Sequence, residues 1–302
     1  MTAISAIIST YNRAQFLDGL FDSILQQTVD CSRYEVVIVN NNCTDNTEAI
    51  CHKFMVEHPE ISVNYCIETK QGLSHGRNRG IVESAHSIVT FLDDDAVIAP
   101  DFFEKTMDFF EKHPAVNAIG GKILLQYMER KPDWYNPFLA SILGYFNPGD
   151  KEEVFSGRNY FRGSNMSFRK EVFNKYDGFN TTLGRVGKNL AGSEEKELFY
   201  RLKNKGEEMW YVPSTVVYHL VPIERTYSEF VKRQAIGTGN SQRQHALIEG
   251  KISFIKCLAS EGGKWVVSFL LAIFYIFTFQ FPVASMLLRF RWWVSRGIIL
   301  DY

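Results

Sequence analysis

The sequence has no C-x-x-C pair, and its five cysteines (Cys31, Cys43, Cys51, Cys66 and Cys257) are odd in number. That usage excludes a disulfide frame and a thiolate zinc site, and reduced thiols in a cytosolic compartment are the expectation. Neither charge is in excess. The 33 Lys and Arg against 34 Asp and Glu give −1, which argues against a nucleic-acid partner. No basic residue precedes the first apolar run, residues 4–8, and no cleavage-site pattern follows it, so a strand is expected there and not a signal peptide. Internal repeats and low-complexity tracts are also missing. What is present, 45% apolar and 22% charged residues in a chain of 302, suits one α/β core with an appendage.

Short β-branched runs at 4–10, 35–40, 63–67 and 88–92 alternate with amphipathic stretches at 14–27, 44–56 and 75–85. This alternation predicts a mainly parallel sheet with helices on both faces, and such sheets bind ligands at the carboxyl ends of their strands. Further strands are expected at 116–125, 160–168, 209–212 and 215–219. Further helices are expected at 100–112, 170–176, 193–204 and 227–247, the last weakened by Gly237 and Gly239. The aromatic, Pro- and Gly-rich stretch 127–159 reads as an acceptor-facing insertion, and 180–192 as a loop.

The strongest chemical signal is Asp93-Asp94-Asp95, directly after an apolar strand. Three like charges this close repel one another unless a cation joins them, and oxygen ligands on a turn suit Mg²⁺ or Mn²⁺ bridging to substrate phosphates. Alone, the run reads sooner as a solvated acidic turn capping the following helix, and only context overturns that reading. Five other segments give it company: Ile7 to Arg13, Val37 to Asp45, Gly72 to Gly80, Gly163 to Arg169, and Gly192 to Leu198.

In that order and spacing the six segments resemble family 2 glycosyltransferases of the bacterial surface-polysaccharide type, over roughly residues 4–245. The resemblance implies the GT-A fold, a Rossmann-like α/β sheet, here followed by a hydrophobic helical C-terminal segment. It also implies inverting transfer of a sugar from a nucleotide-diphosphate donor, UDP- before GDP-linked, to a hydroxyl acceptor. By that resemblance Thr10, Tyr11 and Asn12 hold the nucleoside, Asn41 faces the base edge, and Arg77 contacts base or diphosphate. Asp93 and Asp94 serve the donor. Asp95, with Asp93 and His219, holds Mg²⁺ or Mn²⁺. Gly163 and Asn165 lie on the acceptor or sugar side, and Lys232 and Arg233 neutralise the diphosphate.

An inverting displacement needs one carboxylate to take the acceptor's proton. Relatives commonly carry Glu-Asp where this chain has Glu194-Glu195, which implies Glu195 as base with Glu194 as competitor. The same two residues also read as first-turn acids favouring a helix dipole behind a Ser193 cap. Relatives often have Asp at Asn40 or Asn41. That departure keeps open a catalytically degenerate member that binds nucleotide or serves as a membrane scaffold. A sugar nucleotidyltransferase would want a Gly-rich basic phosphate loop, and Ser9-Thr10-Tyr11-Asn12 is not one.

The last fifty residues differ from the rest. From Lys251 to Tyr302 six basic residues accompany two acidic ones, so this segment carries +4 and residues 1–250 carry −5. Residues 265–288 hold no charge, long enough to cross roughly 30 Å of hydrocarbon, but Pro282 interrupts them and both flanks are basic. The expected organisation is a transferase domain at 1–248 and a membrane-associating segment at 249–302. A helix pair broken near Pro282 would lie in or dip into the cytoplasmic face of the inner membrane, close to a lipid-linked glycan acceptor. A buried core pair or a dimer interface is the competing reading.

Overall fold

The computed structural model describes residues 2–156, 159–184 and 193–300. The sequence segments 157–158 and 185–192, the latter including Gly192 and most of the expected 180–192 loop, lie outside the described residues. The chain divides into two compact units, one of residues 1–124 and 146–220, the other of 125–145 and 221–302.

The first unit opens with β1 (Ile4–Thr10), α1 (Ala14–Leu25), β2 (Tyr34–Asn40), α2 (Thr47–Glu57), β3 (Ser62–Ile67) and α3 (Leu73–Glu83). It continues with β4 (Ile88–Leu92), β5 (Ala96–Ile98), α4 (Phe102–Lys112) and β6 (Ala118–Tyr127). After β7 (Glu153–Val154) come β8 (Met166–Arg169), α5 (Glu171–Tyr176), α6 (Glu194–Asn204) and β9 (Met209–Val221). The strands form one sheet in the order β3-β2-β1-β4-β8-β6-β9-β5, with β7 beside β9. Strands β3, β2, β1 and β4 are parallel, and β8, β5 and β7 pair antiparallel with their neighbours. The expected α/β architecture is therefore present, its parallel part confined to the first four strands.

Side-chain alternation explains the layering. Ile4, Ala6 and Ile8 of β1, with Val36 and Ile38 of β2, join α1 and α4 in one core. Ile7, Val37, Val39, Val89 and Phe91 face the other core, with Phe173, Leu198 and Phe199. Burying both faces is what makes β1, β2 and β4 read as continuous apolar runs. Helix α3 lies close on β1 because Gly76 and Gly80 leave room, where a Cβ would collide with Ser9 and Ile7.

In the second unit, 3₁₀ turns at Ala140–Leu143 and Ile223–Thr226 accompany α7 (Ser228–Glu249), α8 (Lys251–Phe277) and α9 (Phe281–Ile299). Trp134, Val231, Val283, Leu287, Trp293 and Val294 are in its core. Helices α7 and α9 cross where Gly239 meets Gly297, a Cβ at Gly239 lying 2.8 Å from the Gly297 Cα. Of the two glycines that weaken the helix signal in sequence, Gly239 is the contact that lets the backbones approach, and Gly237 faces open space. Pro282 sits in the first turn of α9, where a missing N–H costs nothing, so it starts a helix and does not kink one. Helix α8 is long and apolar enough to cross a membrane, and 17% of its most apolar window is buried.

Candidate active site

The site forms at the carboxyl ends of β1 and β4, where the parallel strand order reverses direction. Register places its parts. Ile8 pairs with Leu92, so two residues on, Thr10 stands beside Asp94, and its hydroxyl donates to Asp94 Oδ2 at 2.9 Å. Ala96 pairs with His219, which brings the imidazole Nε2 to 3.4 Å from Asp95 Oδ2.

Two guanidinium groups bind the carboxylates. Arg13 holds Asp94 Oδ1 at 3.1 Å and bonds Asp95 through its other terminal nitrogen, its guanidinium lying over the Phe16 ring. Arg77, 2% exposed, stacks on Phe179 and reaches three partners. Its Nη1 lies 3.0 Å from Glu194 and 3.2 Å from Glu195, and its Nη2 lies 3.4 Å from Asp93. A single buried cation thus joins the Asp triplet to the Glu pair, across 16 to 118 positions of sequence.

The electrostatics follow. Burial lowers the affinity of both guanidiniums for their proton, but the surrounding carboxylates outweigh it and both stay firmly charged. Burial pushes Asp94 up to about 7, Arg13 opposing and Asp95 reinforcing the shift. Burial also pushes Glu194 up to about 7, with Glu195 adding to it and Arg77 opposing. One Glu194 oxygen, Oε2, is buried with no hydrogen bond among the described residues. Among the described residues five carboxylates face two guanidiniums, a balance with room for a cation.

The remaining candidates fall into distinct places. Tyr11 is exposed at the end of β1. Asn12, in the left-handed region at φ 52°, accepts a hydrogen bond from the Thr44 N–H and so joins the β1 and β2 loops. Asn41 is buried, its amide donating to the Glu68 and Lys70 carbonyls while its carbonyl accepts from Gly72 N–H. Its polar atoms hold together the loops on which α3 begins. Asn165 is likewise a buried strut between the Lys122 and Thr215 carbonyls. Gly163 lies against the ion pair, where a Cβ would collide with Glu195 Oε1 and Arg77 Nη2. Lys232 and Arg233 are on α7 in the second unit, where Lys232 pairs with Glu229 at 3.6 Å. Ser193 stands at the N-cap of α6 at φ 120° but makes no side-chain cap bond. Among the described residues, no three His, Cys, Asp or Glu side chains form a ready metal cage.

Sequence reasoning missed Arg13 and Phe179. Arg13 follows the Thr-Tyr-Asn segment but has no chemical signature of its own, and its partners are more than eighty residues away. Asp45, which with Thr44 is a candidate cap for the 44–56 helix in the sequence, accepts from Thr47 N–H at the start of α2 and, unforeseen, from Ala14 N–H at the start of α1.

Residues 5–177 match the family model described as Glycosyl transferase family 2. The chain is 27% identical over 245 residues to the glucosyl-dolichyl phosphate glucuronosyltransferase of Haloferax volcanii, covering 80% of this chain and 76% of that one. It resembles the mannosyltransferase PcManGT of Pyrobaculum calidifontis, solved in complex with GDP-Man and Mn²⁺, with a TM-score of 0.62 and 18% identity, over 95% of this chain and 85% of that one. TarS 1-349 of S. aureus in complex with UDP-GlcNAc gives a TM-score of 0.55 at 16% identity, over 79% and 67%. At those identities the two structures speak to the fold alone.

Proposed function

The chain belongs to glycosyltransferase family 2, and from that membership we propose an inverting transfer from a nucleoside diphosphate sugar, UDP- before GDP-linked, to a hydroxyl of a lipid-linked glycan. The observation that carries the reading is Arg77, which gathers Asp93, Glu194 and Glu195 into one site. A degenerate member would have no catalytic need for the Asp triplet and the Glu pair to share one site.

In this reading the exposed Tyr11 ring offers a face to the base, and the loops tied by Asn41 and Asn12 shape the nucleoside pocket. Asp95 and His219 offer an oxygen and a nitrogen donor 3.4 Å apart, with Asp93 close by in sequence. That set fits Mg²⁺ or Mn²⁺, which often takes few protein ligands and fills its shell with phosphate oxygens. Bound there, the ion would supply charge neutralisation for the departing diphosphate.

Glu195 is the base. Its side chain is 20% exposed, against 2% for Glu194, so an acceptor hydroxyl has a path to it. Glu194 is pushed toward its neutral form, and environments that separate two carboxyls assign them different roles. Arg77 steadies the Glu195 carboxylate until the acceptor arrives. The acceptor oxygen then gives its proton to Glu195 and attacks the anomeric carbon, and the bond from that carbon to the diphosphate breaks on the opposite side. Membrane association through α8 and α9 would keep the enzyme beside a lipid-linked acceptor.

The experiment is a panel of nucleotide sugars with Mn²⁺ or Mg²⁺, scored by thermal shift and by donor hydrolysis. One donor should stabilise the protein and be slowly hydrolysed with metal present, and Asp95→Ala should abolish both effects. Full turnover in excess chelator, or by Asp95→Ala, would remove the metal from the account. No binding of any donor would overturn it.

A further inference from the structure

Two helix N-termini of the second unit open onto one cavity. Helix α7 begins at Ser228 and α9 at Phe281, and neither carries a side-chain cap. The cavity, about 300 Å³, is lined by Arg130, Trp134, Ser228, Pro282, Ser285 and Arg289 among others. Each helix start carries a partial positive charge and amide hydrogens without intrahelical partners, although Pro282 supplies none in α9. Arg130 and Arg289 have no carboxylate partner among the described residues, Arg289 instead leaning over the Trp293 ring at 5.0 Å. Asp133 also lines the cavity and offsets one of the two arginine charges. The hydroxyls of Ser228 and Ser285 add donors. Uncapped amides, hydroxyls and guanidiniums around one space are the groups that bind a phosphate.

The second observation is apolar and independent of these charges. The turn between α8 and α9 exposes Phe277, Phe279 and Phe281 at 78%, 81% and 56%. Phe279 has φ 58°, a backbone region that bulky residues rarely adopt. Three exposed phenylalanines on one turn form an unpartnered apolar tip, and the chain passes directly from it into the cavity wall at Pro282. Arg289 lies eight residues into α9 from Phe281, on the order of 12 Å along the helix. A tip immersed in hydrocarbon would therefore hold the cavity near headgroup depth.

We propose that this cavity binds the exposed phosphate of a membrane lipid, with the Phe277–Phe281 turn buried among the lipid's tails. The inference rests on the membrane association put forward above and adds to it a headgroup chemistry and a site. A phosphate not shielded by choline fits best, because only the arginines and helix ends would then neutralise it.

The test is vesicle co-sedimentation of the full chain, with phosphatidylcholine alone and with phosphatidylcholine mixed with phosphatidic acid. Wild type should bind the mixed vesicles more tightly. Arg130→Gln/Arg289→Gln should weaken that binding by about tenfold or more. Lys251→Gln/Lys256→Gln, which removes the same charge from exposed positions outside the cavity, should weaken it less. Equal losses in the two double variants would overturn the cavity while leaving membrane association intact. Stabilisation by inorganic phosphate, lost in Arg130→Gln/Arg289→Gln, with no preference of wild type for the mixed vesicles would make the ligand a free anion and overturn the lipid. Wild type that ignores every vesicle would overturn both the cavity and the membrane reading.

Discussion

Arg77 Nη1 lies 3.2 Å from Glu195 Oε1, and that guanidinium is buried. A buried cation held by three carboxylates and an aromatic face has a fixed position, so it fixes theirs. Arg77 is therefore placed to position the carboxylate proposed as the base. Its surroundings leave little guanidinium surface for a nucleotide.

Arg77→Met should destabilise the first unit by about 3–5 kcal/mol, because the carboxylates stay behind without their counter-ion. Arg77→Lys should recover part of that, since an ammonium restores the charge but cannot fork to three acids. Urea unfolding measures both. A lysine variant as stable as wild type would mean the fork geometry contributes nothing.

Gly163→Ala places a methyl group against Glu195 and Arg77. The expected cost is about 1–3 kcal/mol of stability. Transfer should fall further, on the order of a hundredfold, because displaced catalytic groups lose their alignment. Steady-state kinetics beside thermal unfolding separates the two effects.

The pH dependence of stability has a definite sign. Burial, reinforced by Glu195, raises Glu194 from 4.5 to about 7 in the folded state. The folded protein then keeps a proton that the unfolded chain has released. That contribution is complete below about pH 4.5 and is lost as the pH rises through about 7. Asp94, also pushed up by burial, acts with the same sign. Glu194→Gln should remove its share, so that the variant gains about 1–3 kcal/mol on wild type across this window. Thermal unfolding at a series of pH values checks it, and parallel curves for the two proteins would contradict it.

Much of this was legible in the sequence, for physical reasons. Strands β1, β2 and β4 are buried on both faces and so read as apolar runs, and the Asp triplet announces itself by following one of them. Strand β5 has three residues and no pattern of its own, and its place is set by pairing with β9. Pro213 and Ser214 split β9 in sequence, yet the strand runs through from Met209 to Val221. The ion pairs of Arg13 and Arg77 were not legible, because nothing local marks an arginine whose partners lie far along the chain. Asn41 has the chemistry of a base reader, and only the packed loops reveal that its amide is already engaged.

The contact between Gly239 and Gly297 gives a fourth prediction. Gly239→Leu should force α7 and α9 apart and destabilise the second unit by about 3 kcal/mol or more, although leucine is the better helix former. Hydrogen exchange of α9 amides reports the loss. Unchanged protection there would mean the close approach is not needed.

The central claim is that Glu195 takes the proton from the acceptor. Its most direct test is single-turnover transfer by Glu195→Gln beside Glu194→Gln, with donor affinity measured on the same preparations. The account predicts that Glu195→Gln binds the nucleotide sugar as wild type does and loses transfer by at least about a hundredfold. A Glu195→Gln enzyme that transfers at the wild-type rate would contradict it.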